Sequence, residues 1–301
     1  MSHAGSVKSI VYALLANFGI AIAKSGAAIY TGSGAMLAEA IHSFADCGNQ
    51  GLLFLGLRRA KIGPSKNYPL GHGKAIFFWS FVVALILFSM GGVFSIYEGI
   101  HKLHAYEPIN SPLVAIVVLL LGVIMEGASL FGCIRQINKI KGNQNLWQWA
   151  KDSRQSELIV ILGEDLAAIT GLIFALLSII LAVVTGNMVF DAIGSIGIGI
   201  LLVIVSFFLA TKIKGLLIGQ SVEKDVAEDI EHFIEKQESV REVLNLITLQ
   251  LGAQVMVAVK AKMNPTSTAG EMINNINVCE AALKKHNPNI QWVFFEPDLK
   301  D

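Results

Sequence analysis

The chain has 301 residues, 53% of them hydrophobic and 15% charged, with a formal net charge of zero. Soluble domains run near a quarter charged, so the composition argues for a membrane protein, and the zero balance points away from nucleic acid or any polyanionic partner. The cysteines Cys47, Cys133 and Cys279 lie far apart with no CxxC pair, which argues against a disulfide framework and a thiolate metal cage.

Charge-free runs extend over Ala75–Tyr97, Leu166–Phe190 and Ala192–Thr211. Each is long enough to cross a hydrocarbon core of about 30 Å at 1.5 Å per helical residue. Taken in chain order, six transmembrane helices are expected at about 9–30, 35–57, 75–99, 112–134, 158–184 and 190–211. The first apolar run continues past Lys24 with no small-residue cleavage pattern, so it reads as a mature helix and not a signal peptide. Thr31-Gly32-Ser33-Gly34 separates the first two spans, Pro108 and Pro112 bracket the start of the fourth, and Gly186-Asn187 separates the last two.

The loops carry the orientation. Residues 58–74 hold Arg58, Arg59, Lys61, Lys66 and Lys74 with no acid, and residues 135–157 hold Arg135, Lys139, Lys141, Lys151 and Arg154. The positive-inside rule places both loops in the cytoplasm, with both termini on the same side. The short N-terminus suggests a bacterial inner membrane. The expected transport domain is 1–215. Residues 216–301 are richer in charge and read as a small cytoplasmic αββαβ domain. Its helices fall at Val222–Gln237 and Ser267–His286, the second capped by Ser267 or Thr268, and its strands at Val243–Leu249, Val255–Ala261 and Ile290–Phe295.

Ionisable groups at membrane depth are costly and therefore mark function. The second span holds Glu39, His42, Asp46 and Asn49 at i, i+3, i+7 and i+10, one face of a helix. His42 and Asp46 are an i,i+4 pair that can converge on one ion or form a buried hydrogen bond that pins the packing. In the fifth span Glu164 and Asp165 are adjacent and point about 100° apart, so both reach one site only if Glu164 uses its longer side chain. His42, Asp46 and Asp165, with or without Glu164, supply the number and type of ligands that zinc takes, although Mn²⁺, Fe²⁺, Co²⁺, Ni²⁺ and Cd²⁺ are compatible. Lys24 either snorkels or pairs with a carboxylate, and Glu126 reads as a proton relay or as the partner of Lys24. Asp191 reads as a cap on the sixth span, His72 as a solvated or gating residue, and His3, His101 and His104 as loop histidines. His232 and His286 belong on the surface of domain helices.

The stretch Ala38-Glu39-Ala40-Ile41-His42-Ser43-Phe44-Ala45-Asp46 resembles the second-helix HxxxD signature of the cation diffusion facilitator family, and Tyr68-Pro69-Leu70-Gly71-His72-Gly73-Lys74 resembles its loop motif before the third helix. Glu126-Gly127-Ala128, Gly163-Glu164-Asp165 and Asp191 with Gly194-Ser195 resemble the zinc-transporter-9-like branch. The resemblance implies a homodimer in the lipid bilayer with a ferredoxin-like cytoplasmic domain, exporting zinc or a similar divalent metal ion against protons, with no required cofactor. The chain departs from the family at Ile161, where the fifth helix usually carries histidine, at Ser65 and Tyr68 in the loop, and at Leu244-Asn245 and Phe294 in the domain. Of the domain's usual ligand positions only Glu296 keeps a ligand-type side chain, so that domain is expected to fold without metal. Two other functions fit the same residues: an intramembrane metal-dependent hydrolase with Glu164 as base, and a metal sensor that does not transport. No HExxH or nucleophile constellation supports the former.

Overall fold

Each long helix starts and stops where local chemistry dictates. In the computed structural model, which describes residues 3–105 and 109–300, α1 runs His3–Thr31 and α2 Gly34–Ala60. Pro108 and the side chain of His3 lie outside the described residues. Between α1 and α2, Gly32 takes φ +69°, the left-handed turn a helix C-terminus favours, and the Ser33 hydroxyl accepts from Met36 N. The third span is one long element interrupted once: α3 Ala75–Ile86, a π-helical segment Leu87–Val93, then α4 Phe94–Ala105. Helix α5, Pro112–Asn138, opens with proline in its first turn, where the missing N–H costs nothing. A short α6, Leu146–Asp152, capped by the Asn145 side chain, sits in the second basic loop and was not expected from sequence. Helices α7, Ser156–Thr185, and α8, Val189–Ile218, meet at Gly186, again left-handed.

Four of these spans are long and apolar enough to cross a bilayer on composition alone: Ala75–His104, Pro112–Asn138, Ser156–Thr185 and Val189–Ile218. Helix α2 has the length, at 27 residues, but its polar face lowers its hydropathy. That face is turned inward: Glu39, His42 and Asn49 are fully buried, while Phe44, Phe54 and Leu57 of the same helix are exposed. A helix polar toward its neighbours and apolar outward is the inverse of a soluble one and suits lipid. With α1 packed on α2 and α5, the fold is a six-span membrane bundle. The third span continues to Ala105, so His101 and His104, expected in a loop, stand exposed on the last turns of α4.

The C-terminal part has its own core. Helix α9, Lys224–Glu235, is followed by β1 Val240–Leu251, β2 Gln254–Met263, α10 Ala269–His286 and β3 Ile290–Pro297, the expected αββαβ order. Strands β1 and β2 pair antiparallel across the two-residue turn Gly252-Ala253, and β3 runs parallel to β2 after the α10 crossover, giving the order β1-β2-β3. Inward-facing Val255, Val257, Val259 and Ala261 alternate along β2 and pack against Ile230 and Ile234 of α9 and Cys279 and Leu283 of α10. Thr268, the second of the two candidate caps, accepts from Glu271 N at 3.1 Å. His232 is exposed, and His286 lies at the surface 2.8 Å from Asp229.

The two parts meet where the first basic loop turns into α3. The backbones of Gly73 and Gly252 approach so closely that neither position has room for a Cβ. Beside them Arg154 Nε donates to Ser221 O at 2.7 Å, and its backbone N–H donates to Glu223 Oε1 at 3.2 Å. The loop motif Tyr68–Lys74 therefore packs its last glycine on the β1–β2 turn. His72 is half-buried with its ring against Tyr68, centroids 4.3 Å apart, and is not freely solvated.

Candidate metal-ion site

The polar face of α2 distributes its groups among three neighbours. Near the turn end of the bundle, Lys24 of α1 donates to Glu39 Oε2 at 3.3 Å and to Ser43 Oγ at 2.7 Å, with Lys24 and Glu39 both fully buried. Lys24 is thus paired, and with Glu39 and not with Glu126. Gly171 of α7 makes space for this acid, since a Cβ there would sit 2.5 Å from Glu39 Oε1. One turn further along α2, His42 Nε2 lies 3.6 Å from Asp46 Oδ2, too far for a hydrogen bond. Among the described residues neither ring nitrogen of His42 has a hydrogen-bond partner, and nor does Asp46 Oδ1.

Next comes a cavity of about 270 Å³ between α1, α2, α5 and α7. Asp46 and Gln50 line it from α2, Glu126 and Ser129 from α5, and Ile161, Glu164 and Asp165 from α7, with Leu53, Phe54 and Leu57 leading toward the end that bears Arg58 and Arg59. The helical step turns the two adjacent acids of α7 apart. Glu164 faces α2 and accepts from Asn49 Nδ2 at 2.6 Å. Asp165 faces α5, where Ser129 Oγ lies 3.2 Å from each carboxylate oxygen. Glu164 therefore pairs neither with Lys24 nor with a loop base.

Of the four expected ligands, Asp46, Glu164 and Asp165 reach one cavity, while His42 stands beside Asp46 just outside its lining. In the conformation described, no three His, Cys, Asp or Glu side chains among the described residues stand close enough together to hold an ion. The cavity brings four carboxyl groups together, those of Asp46, Glu126, Glu164 and Asp165, and among the described residues no lysine, arginine or histidine lines it. Like charges in a weakly polar space repel strongly, so a divalent cation is the occupant whose charge such a wall favours. Sequence reasoning missed Ser129. A hydroxyl in an apolar run was its signal, but hydroxyls in spans also bond back to their own helix, as Thr170 does to Leu166 O.

Asp191 opens α8 as expected, but it caps a different helix. Its carboxylate accepts from Ser33 Oγ at 2.5 Å, Gly34 N at 2.7 Å and Ala35 N at 3.4 Å, all at the N-terminus of α2. Lys102 of α4 adds a bond from Nζ to Gly32 O at 2.6 Å. This network ties the α1–α2 turn to α4 and α8 at the end of the bundle opposite the basic loops.

A bundle of apolar spans that encloses a cavity lined by four acids is a polytopic membrane protein with a polar interior. The family model for the cation efflux transmembrane domain matches residues 10–218, and the chain belongs to that family. The mouse mitochondrial proton-coupled zinc antiporter SLC30A9 is 35% identical over 227 residues, which are 74% of this chain and 40% of the mouse protein. Its human counterpart is 34% identical over the same shares, and metal tolerance protein C4 of Arabidopsis thaliana is 32% identical over 72% of this chain and 48% of its own length. The chain thus spans less than half the length of these relatives.

Proposed function

We propose that this protein exports a divalent metal cation, zinc foremost, across a membrane in exchange for protons. His42, Asp46, Glu164 and Asp165 contact the ion. The observation that carries this reading is the cavity between α1, α2, α5 and α7, with four acids and, among the described residues, no base in its lining. Alternating access is supported by the two ends of the bundle. The cavity leads along Leu53, Phe54 and Leu57 toward the basic loops, while the Asp191 network ties helices together at the opposite end. Protons and metal compete because a ligand lone pair that holds one cannot hold the other. Drawing His42 into contact with the ion needs only a local adjustment, since its Nε2 is already 3.6 Å from Asp46. The mouse relative is named a proton-coupled zinc antiporter, which supports this substrate and mechanism. Hydrolysis and sensing find no such support.

In this reading residues 1–215 transport, and 216–301 form a metal-free domain on the side of the basic loops. The working unit is a homodimer in the lipid bilayer. The basic loops and both termini face the cytoplasm of a bacterial inner membrane. Reconstituted vesicles test the central claim. An imposed proton gradient is expected to drive zinc uptake, with a matching pH change, in the native protein, and neither in His42→Ala or Asp165→Ala. Zinc uptake at the native rate in Asp165→Ala would overturn the site.

A further inference from the structure

Asn49 lies one turn beyond Asp46 on the same face of α2 and is fully buried. Its amide spans the interface between α2 and α7: Nδ2 donates to Glu164 Oε1 at 2.6 Å, while Oδ1 has no donor among the described residues. A carboxylate only accepts, so the amide nitrogen and not its oxygen must face Glu164. Burying an amide with one end unmet costs free energy that a leucine of the same shape would avoid. Packing therefore does not account for asparagine at this position, whereas the acid it touches does.

We propose that Asn49 is the positioning residue for Glu164: its side-chain amide, donated from α2 to α7, holds the Glu164 carboxylate on the cavity wall and thereby sets the affinity of the site for its ion. This rests on the reading that the cavity takes the cation. The residue type suits the task. A lysine would orient the carboxylate but place a positive charge beside an incoming cation, and an aspartate would repel Glu164. A neutral donor fixes the geometry and leaves the negative charge of the wall intact. Glu164 needs such help because its neighbour Asp165 occupies the adjacent helical position and is drawn toward Ser129 on α5. Outer partners of metal ligands typically change affinity 10–100-fold when removed.

The test compares Asn49→Leu, which removes the polar atoms and keeps the shape, in the native and Glu164→Gln backgrounds of the full chain. Expected are a zinc KM for vesicle uptake raised about 10–100-fold in the native background, a maximal rate changed far less, and an unfolding midpoint unchanged or higher. In the Glu164→Gln background the same substitution is expected to leave KM unaltered. An unchanged KM in Asn49→Leu, an equal effect in both backgrounds, or a native KM in Glu164→Gln alone overturns the positioning role. If the native protein gives no zinc uptake, the transport reading fails separately. The same comparison by calorimetric zinc titration of the detergent-solubilised chains then decides Asn49, and equal Kd values or absent binding overturn the proposal.

Discussion

Two aspartates inside the bundle face opposite demands. Asp191 is 3% exposed and both of its carboxylate oxygens are met: a hydroxyl at 2.5 Å and two backbone N–H groups at 2.7 and 3.4 Å. Asp46, one helix over, has Oδ1 without a donor among the described residues and shares its cavity with three other acids. The first acid completes the N-terminus of α2, where a helix favours negative charge. The second is held in a place that only a cation makes comfortable. An intramembrane acid is therefore not functional by its presence alone. What separates the structural one from the one proposed to meet the ion is how many protein donors meet its oxygens. Glu39 lies between the two cases, neutralised by Lys24 at 3.3 Å but with Oε1 unmet among the described residues.

The contrast predicts opposite outcomes for one substitution. Asp46→Ala is expected to abolish zinc uptake altogether while the unfolding midpoint stays level or rises, because it relieves crowding among the cavity acids. Asp191→Ala is expected to do the reverse. It leaves the N–H groups at the start of α2 unmet, at a cost on the order of 2 kcal/mol, with zinc affinity per folded molecule unchanged. Differential scanning fluorimetry alongside calorimetric zinc titration checks both, and equal loss of stability in the two variants would break the comparison.

Smaller effects sharpen it. Asp191→Asn keeps one acceptor oxygen but loses the charge, so its destabilisation is expected at about half that of the alanine variant, near 1 kcal/mol. The smallest effect is expected at Ser129→Ala. Its hydroxyl lies 3.2 Å from both oxygens of Asp165, a looser hold than the 2.6 Å bond of Asn49 on Glu164. A change in zinc KM of less than about threefold is expected, below the range for removing a well-made outer contact. A Ser129→Ala effect exceeding that of Asn49→Leu would reverse the ranking of the two holds.

The six spans, the C-terminal αββαβ order and the acids worth attention were legible because each is written locally. Apolar runs of some twenty residues, period-two alternation in 255–261, and charged residues inside apolar stretches need no knowledge of distant partners. The inward turn of Glu39, His42 and Asn49 follows from spacing alone, while the choice of Thr268 over Ser267 as the cap of α10 was made by the structure. Which groups meet across helices was not legible. Lys24 had a choice of acids, and only the packing of α1 on α2, with Gly171 clearing room, selected Glu39 over Glu126. Asp191 began its own helix, as its position in the chain says, yet its oxygens serve a helix 157 residues earlier. Glu164 and Asp165 were separated by a rotation of about 100° that any sequence reader can compute. That the first swings to Asn49 and the second to Ser129 depends on how α2 and α5 flank α7. Helix formation is a matter of near neighbours in the chain, whereas the satisfaction of a buried polar atom is a matter of near neighbours in space.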